Sequence, residues 1–182
     1  MSHDNAQILK EGLAKGLTLI HNVISESLVE AAYKLLVQAE TNKEYHNMTG
    51  NTLTSYMCGI YVDGRLSKIV TMYDADMGLD KPKRGKLYRG SGSGFVYVED
   101  YDTGKMVHVL KRNLIETDRD FGENTSRRFL MSYKAPSNKI ALVMTTGTEY
   151  SELLESVKRL DVLTRTYQDA AGIISNNWKK IE

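Results

Sequence analysis

Residues 47–70 read NMTGNTLTSYMCGIYVDGRLSKIV, and the fold turns on this stretch. A Thr-Gly-Asn turn gives way to alternating small and apolar residues, the period-2 pattern of a strand. The alternation breaks at Asp63-Gly64, the strongest short hairpin signal, and then resumes. TSYMCGIYV and RLSKIVTMY are therefore expected to form two antiparallel strands joined by a tight turn.

What precedes the turn is different in kind. From Asn5 to Thr41 the apolar positions Leu9, Leu13, Leu17, Ile20, Ile24, Leu28, Ala32 and Leu35 recur at steps of three and four, drawing one stripe along a helix. Asp4 or Asn5 is placed to cap its start. Gly12, Gly16 and the Ser25-Glu26-Ser27 step weaken it, each glycine by about 1 kcal/mol relative to alanine, so a bend or break is expected near 16 or 25. Unbroken, such a helix runs to about 55 Å at roughly 1.5 Å per residue. That exceeds what a domain of this size covers with its own core, so part of the stripe is expected to meet something else. A helical hairpin packed within the domain is the alternative.

Working further along, DADMGLDKPKRGKLYRGSGSG, residues 74–94, carries the glycines and proline of a long loop, with Lys81, Lys83, Arg84, Lys86 and Arg89 and no acid among them. GFVYVED and KMVHVLKR make a second expected hairpin around Tyr101 to Gly104, DRDFGENTSRR reads as polar connector, and RFLMSYKA as a further strand. NKIALVMTT is a continuous apolar, β-branched run and reads as a central strand. A helical turn or two is expected from Glu149 to Ser156. From Thr164, the candidate cap, Tyr167, Ala170, Ile174, Trp178 and Ile181 outline a final amphipathic helix.

The resulting fold class is α+β: a long N-terminal helix, a small antiparallel sheet with a long loop insertion, and a C-terminal amphipathic helix. The chain of 182 residues, 41% apolar and 26% charged, has the profile of one globular domain. Within it lie an N-terminal helical region at 1–44, a sheet region at 45–148 with the basic loop 74–94 and an insertion at 99–135, and a C-terminal helical region at 149–182.

Composition excludes several function classes. Twenty-four basic and 23 acidic residues nearly cancel, so any attraction to nucleic acid must be local. The single cysteine, Cys58, rules out an internal disulfide and a multi-cysteine metal site, and its place in a strand suits a small buried hydrophobe. The polar start MSHDNAQILKEG lacks the apolar run of a signal peptide, and no window approaches the ~18 apolar residues of a membrane span, so a soluble, non-exported chain is expected.

Catalytic constellations are not found. His3, His21, His46 and His108 have no metal-ligand spacing. Asp74 and Asp76 start like a calcium loop, but the glycine comes one position early and Gly85 stands where a bidentate glutamate belongs. GSGSG lacks the lysine and preceding buried strand of a phosphate loop, and no serine sits in a Gly-x-Ser-x-Gly elbow. No catalytic, cofactor-binding or metal residue is assigned. The five cations between 81 and 89 suit phosphate neutralisation, with Tyr88 the one interleaved aromatic. A solvated or partner-facing loop is the other reading, and such loops gather around a lumen if the chain forms a ring.

The order of long helix, MTGNTLTSYMCGIYVDGRL and, much later, KIALVMTTGTEYSELLESVKRLDVLTRTYQDA resembles the head-to-tail joining proteins of tailed bacteriophages, called neck, tail-completion or minor tail proteins. Their Thr-Gly-Asn-Leu-like turn corresponds to Thr49, Gly50 and Asn51, with Leu53 displaced by one residue through Thr52. Their later signature corresponds to Ile140 to Met144, Gly147, Glu149-Tyr150, Leu154-Glu155 and Val162-Leu163-Thr164. The match spans roughly half the chain, and residues 74–135 depart from the compact form by a long insertion. The resemblance implies a virion component, assembled in the host cytoplasm as a homo-oligomeric ring of 6 or 12 copies between portal and tail. Its partners are then further copies of itself, the portal or an adaptor protein, tail proteins and packaged DNA in the lumen, with no membrane. Gly50 is expected at positive φ where the helix exits, with the hairpin edge offered to a neighbouring subunit. A nucleic-acid-binding protein using residues 81–89 and a small effector enzyme are the alternatives.

Overall fold

The computed structural model describes residues 2–46, 50–73, 87–89, 95–100, 103–110, 121–148 and 150–178. The long helix is α1, Ser2–Asn42, and it is continuous: neither Gly12 and Gly16 nor the Ser25–Ser27 step breaks it. Ser27 is accommodated within it, its hydroxyl donating at 2.9 Å to the Val23 carbonyl one turn back. A glycine costs a helix only about 1 kcal/mol, which the packed second half outweighs.

The hairpin forms as read. β1, Met57–Val62, pairs antiparallel with β2, Arg65–Thr71, across Asp63 and Gly64. Both turn residues have positive φ, 51° and 78°, which gives the backbone twist that joins right-twisted strands without splaying them. A register shift between Ile60 and Tyr61 marks a bulge on the β2 side.

The apolar run expected to be central is β6, Ile140–Thr145, and it is an edge: the sheet order is β2-β1-β6. β1 is the central strand, and its residues from Met57 to Tyr61 are all buried. Alternation sends Cys58 and Ile60 to one face, where they join Leu28, Ala32, Leu36 and Ala39 of α1 in the core. Gly59 and Tyr61 face the other way, toward α3, Phe121–Ser132: the Tyr61 hydroxyl donates to the Leu130 carbonyl at 2.5 Å, and a Cβ on Gly59 would lie 3.0 Å from Leu130. The sheet is thus covered on both faces, which is why β6 is apolar along its whole length although it lies at an edge.

The segment DRDFGENTSRRFLMS was read as connector followed by strand; Phe121–Ser132 of it is the helix α3. The insertion 99–135 therefore contains structure of its own, and the region 45–148 is not all sheet. Its core-facing row is Gly122, Ser126 and Leu130, four residues apart and all buried, while Phe129 and Met131 are exposed. Two of the three inward positions carry no apolar signal.

The loop read at 74–94 also contains a strand. β3, Leu87–Arg89, pairs with β4, Phe95–Glu99, which pairs with β5, Met106–Leu110, forming a second three-stranded antiparallel sheet. The expected hairpin of GFVYVED and KMVHVLKR is this β4–β5 pair, with Gly104 at φ 64° in its turn.

At the C-terminus α4, Tyr150–Ser156, and α5, Thr164–Asn176, appear where helix was expected. Thr164 is not the cap; it is the first helical residue, and Leu163 occupies the N-cap position without a side-chain bond. The Glu155 carboxylate supplies the cap from α4, accepting the N–H groups of Val162, Leu163 and Thr164 at 3.2, 2.6 and 3.0 Å. The inward row of α5 includes Thr166, Ala170 and Ile174, whereas Tyr167 is 81% exposed and belongs to the outer face. Ile181 lies outside the described residues. α5 is tied to α1 by Lys34 donating to Asn177 and by Asn42 Nδ2 donating to Thr166 Oγ1 at 3.4 Å.

Candidate assembly surface

The Thr-Gly-Asn turn is a junction, and not the exit from α1. Thr49 lies outside the described residues. Gly50 has φ 73° and ψ −3°, the left-handed region where an L side chain is disfavoured. It opens α2, Asn51–Thr54, several residues after α1 has ended, and its carbonyl accepts the Thr54 N–H and hydroxyl at 3.0 and 2.9 Å. The Asn51 side-chain oxygen accepts the Gly122 N–H at 3.1 Å, and Ser126 Oγ donates to the Ser55 carbonyl at 2.6 Å. Ser55 Oγ meets Thr146 Oγ1 at 2.7 Å, carrying the same network to the end of β6. These hydroxyls bond to backbone and to one another, so they fix the meeting of α2, α3 and β6. No base stands among them to activate a nucleophile.

The remaining chemically interesting groups are also structural. Cys58 is fully buried, its Sγ 3.9 Å from the Ala32 carbonyl, and burial pushes the thiol up to about 12. Tyr45 and Tyr56 share a 2.6 Å hydroxyl contact, and Tyr56 is pushed well above the ordinary phenol range by burial first and by Tyr45 second. Among the described residues no group of three His, Cys, Asp or Glu side chains is placed to hold a metal ion, and no helix is long and apolar enough to cross a membrane.

His46 and Asp100 form a pair that the sequence did not signal, because they lie 54 positions apart. Asp100 follows β4 directly and is almost fully buried; it accepts the Thr103 N–H at 2.8 Å, the Thr103 hydroxyl at 2.9 Å and a bond from His46 Nε2. Burial alone would raise its carboxyl, but the bonds from His46 and Thr103 prevail and hold it below the usual carboxylate value. The pair ties the second sheet to the segment that follows α1.

The N-terminal half of α1 carries a run of exposed apolar side chains. Leu28, Ala31, Ala32, Leu35, Leu36 and Ala39 are buried, yet Leu9, Leu13 and Leu17 on the same stripe are 65%, 62% and 57% exposed. Residues 5–20 are exposed without exception, so the helix leaves the body as an arm of about 24 Å at roughly 1.5 Å per residue. Ile8 and Leu19, outside the stripe read from the sequence, are also exposed on this arm. Of the basic residues, Lys81, Lys83, Arg84 and Lys86 lie outside the described residues, and Arg89 ends β3.

No family model, curated protein or solved structure matches the chain.

Proposed function

We propose that the chain is a structural assembly subunit that docks through its projecting N-terminal helix, and that its setting is the neck of a tailed phage, as a ring joining the portal to the tail. The observation that carries the first part is the arm: a stripe that is core in one half of α1 continues in water over residues 9–20. A contiguous apolar surface of that kind is what protein interaction sites present. The neck setting rests on the resemblance carried by Gly50-Asn51, β6 and the Glu155 and Val162-Leu163-Thr164 entry to the last helix. The Gly50 and Glu155 contacts give both motifs structural work in holding the fold that presents the arm. β2 and β6, the outer strands of the first sheet among the described residues, offer further backbone for subunit pairing. This reading assigns the chain no catalytic step.

Electron cryo-microscopy of a tailed particle whose genome encodes this chain tests the proposal. A ring of density between portal and tail that accepts α1, the β1–β2–β6 sheet and α5 is the expected result. Density elsewhere, or absence of the chain from the particle, refutes the neck reading.

A further inference from the structure

We propose that α1 and α5 become joined covalently, by an isopeptide bond that the chain forms between Lys34 and Asn177, with Glu30 carrying the protons. Such a bond lies within one chain and forms whether or not the chain enters a ring. Lys34 Nζ donates to Asn177 Oδ1 across 143 positions of sequence, so an amine is held against a carboxamide. Glu30, one turn back on α1, places a carboxylate oxygen 3.4 Å from the same Nζ. Amine, carboxamide and carboxylate are the three groups that transamidation needs: a nucleophile, an acyl carbon and a group that moves protons.

The carboxamide is the most firmly held of the three. Asn177 is 9% exposed and closes the C-terminus of α5, its backbone N–H bonded to the Ile174 carbonyl at 3.1 Å. Its Nδ2 donates to the Ile173 carbonyl at 2.6 Å, which leaves Oδ1 to Lys34. Near the other end of α5 the bond from Asn42 to Thr166 keeps the two helices together, so amine and carboxamide meet within a folded frame, the condition for a high effective concentration. A Glu–Lys pair one turn apart is common on helices, and so is a lysine at a helix C-terminus. Here both converge on one nitrogen, and the acceptor is a buried carboxamide.

The atoms balance without a co-reactant. The Lys34 ammonium gives a proton to the Glu30 carboxylate, and the freed Nζ lone pair attacks Asn177 Cγ. In the tetrahedral adduct Nζ and Nδ2 sit on one carbon, so Glu30 is close to both. Nζ gives up two protons in all; Glu30 passes them to Nδ2, the Cγ–Nδ2 bond breaks, ammonium leaves, and the carboxylate ends as it began. The Lys34 and Glu30 side chains are 53% and 47% exposed, so water competes for both. The step is therefore a slow maturation of the folded chain, faster as pH rises because only the neutral amine attacks. Closing a loop of 143 positions restricts the unfolded chain and raises the melting midpoint by roughly 10–20 °C.

The test follows purified full-length protein over weeks, near neutrality and at about pH 9, by intact mass and tryptic peptide mapping. Expected are a species lighter by one ammonia that grows with time and grows faster at the higher pH, loss of cleavage after Lys34, and a branched peptide joining Lys34 to Asn177. Lys34→Arg abolishes all three, and Glu30→Gln slows them by about 100-fold or more. Wild-type mapping and the Glu30→Gln rate decide the matter even if Asn177→Ala does not fold. Full mass with normal cleavage after Lys34 throughout overturns the proposal. So does ammonia loss without the branched peptide, the mark of an asparagine cyclising on its own backbone, and so do equal rates in wild type and Glu30→Gln.

Discussion

Leu36→Ala and Leu13→Ala make the same chemical change on one helix, and their expected costs differ by an order of magnitude. Leu36 is 0% exposed and belongs to the cluster of α1 and β1 side chains, so truncation removes buried methyls and leaves a cavity beneath the sheet. The cost is about 2–5 kcal/mol, within the range for buried leucine truncations. For a domain of this size each kcal/mol lowers the midpoint by about 2–4 °C, so a fall of roughly 4–20 °C follows. Leu13 is 62% exposed, and alanine is at least as good a helix former, so Leu13→Ala is expected to change stability by less than about 0.5 kcal/mol. Thermal melts by circular dichroism at low protein concentration, where arms do not associate, read both. A loss above about 1 kcal/mol for Leu13→Ala would mean that the arm folds back on its own body, and the docking argument would fail with it.

Other consequences follow from single contacts. Gly147→Ala would put a Cβ 2.1 Å from the Gly122 carbonyl and 2.6 Å from the Ser126 N–H, both backbone, so the α3–β6 junction must move; a loss of about 1–3 kcal/mol is expected in the same melts, and an unchanged midpoint would refute the close crossing. Asp100 has a folded carboxyl below its ordinary value, so its contribution is present above the unfolded pKa and disappears as pH falls through the folded one. Wild type is therefore expected to lose more stability than Asp100→Asn on acidification below about pH 4, and parallel curves would contradict the pairing with His46. Cys58, buried and with its thiol pushed up to about 12, is expected to resist iodoacetamide at pH 8 in the folded chain and to react fully in guanidinium; fast labelling of the folded chain would show that α1 does not cover β1.

The elements legible in the sequence are those whose local chemistry and tertiary surroundings agree. Asp63-Gly64 demanded positive φ and has it, and the spacing of Leu28, Ala32 and Leu35 is the spacing of the buried face. α3 was not legible because its inward row is Gly122, Ser126 and Leu130, selected for close approach to α2 and hydrogen bonding instead of hydrophobicity, while exposed Phe129 and Met131 imitate a strand. β6 was misplaced to the centre because coverage of both sheet faces makes an edge strand as apolar as a central one. Tyr167 suggested the wrong face of α5, since an aromatic residue in the right period carries no mark of being exposed. The stripe on α1 was legible along its length, but nothing in its period distinguishes the half that the body covers from the half left in water. The exposure of Ile8 and Leu19, outside that stripe, emerges only once the fold is known.

The measurement closest to the central claim is particle assembly by a chain whose arm has been made polar without touching its core. Leu9→Asp, Leu13→Asp, Leu17→Asp is introduced into the genome that encodes the chain, and the yield of tailed, infectious particles is counted beside the melting midpoint of the purified variant. The arm account predicts a midpoint within about 2 °C of wild type, because these side chains are 57–65% exposed in the isolated fold and lie outside its core, together with heads and tails that accumulate unjoined. Normal yields of joined particles from the folded variant would contradict it.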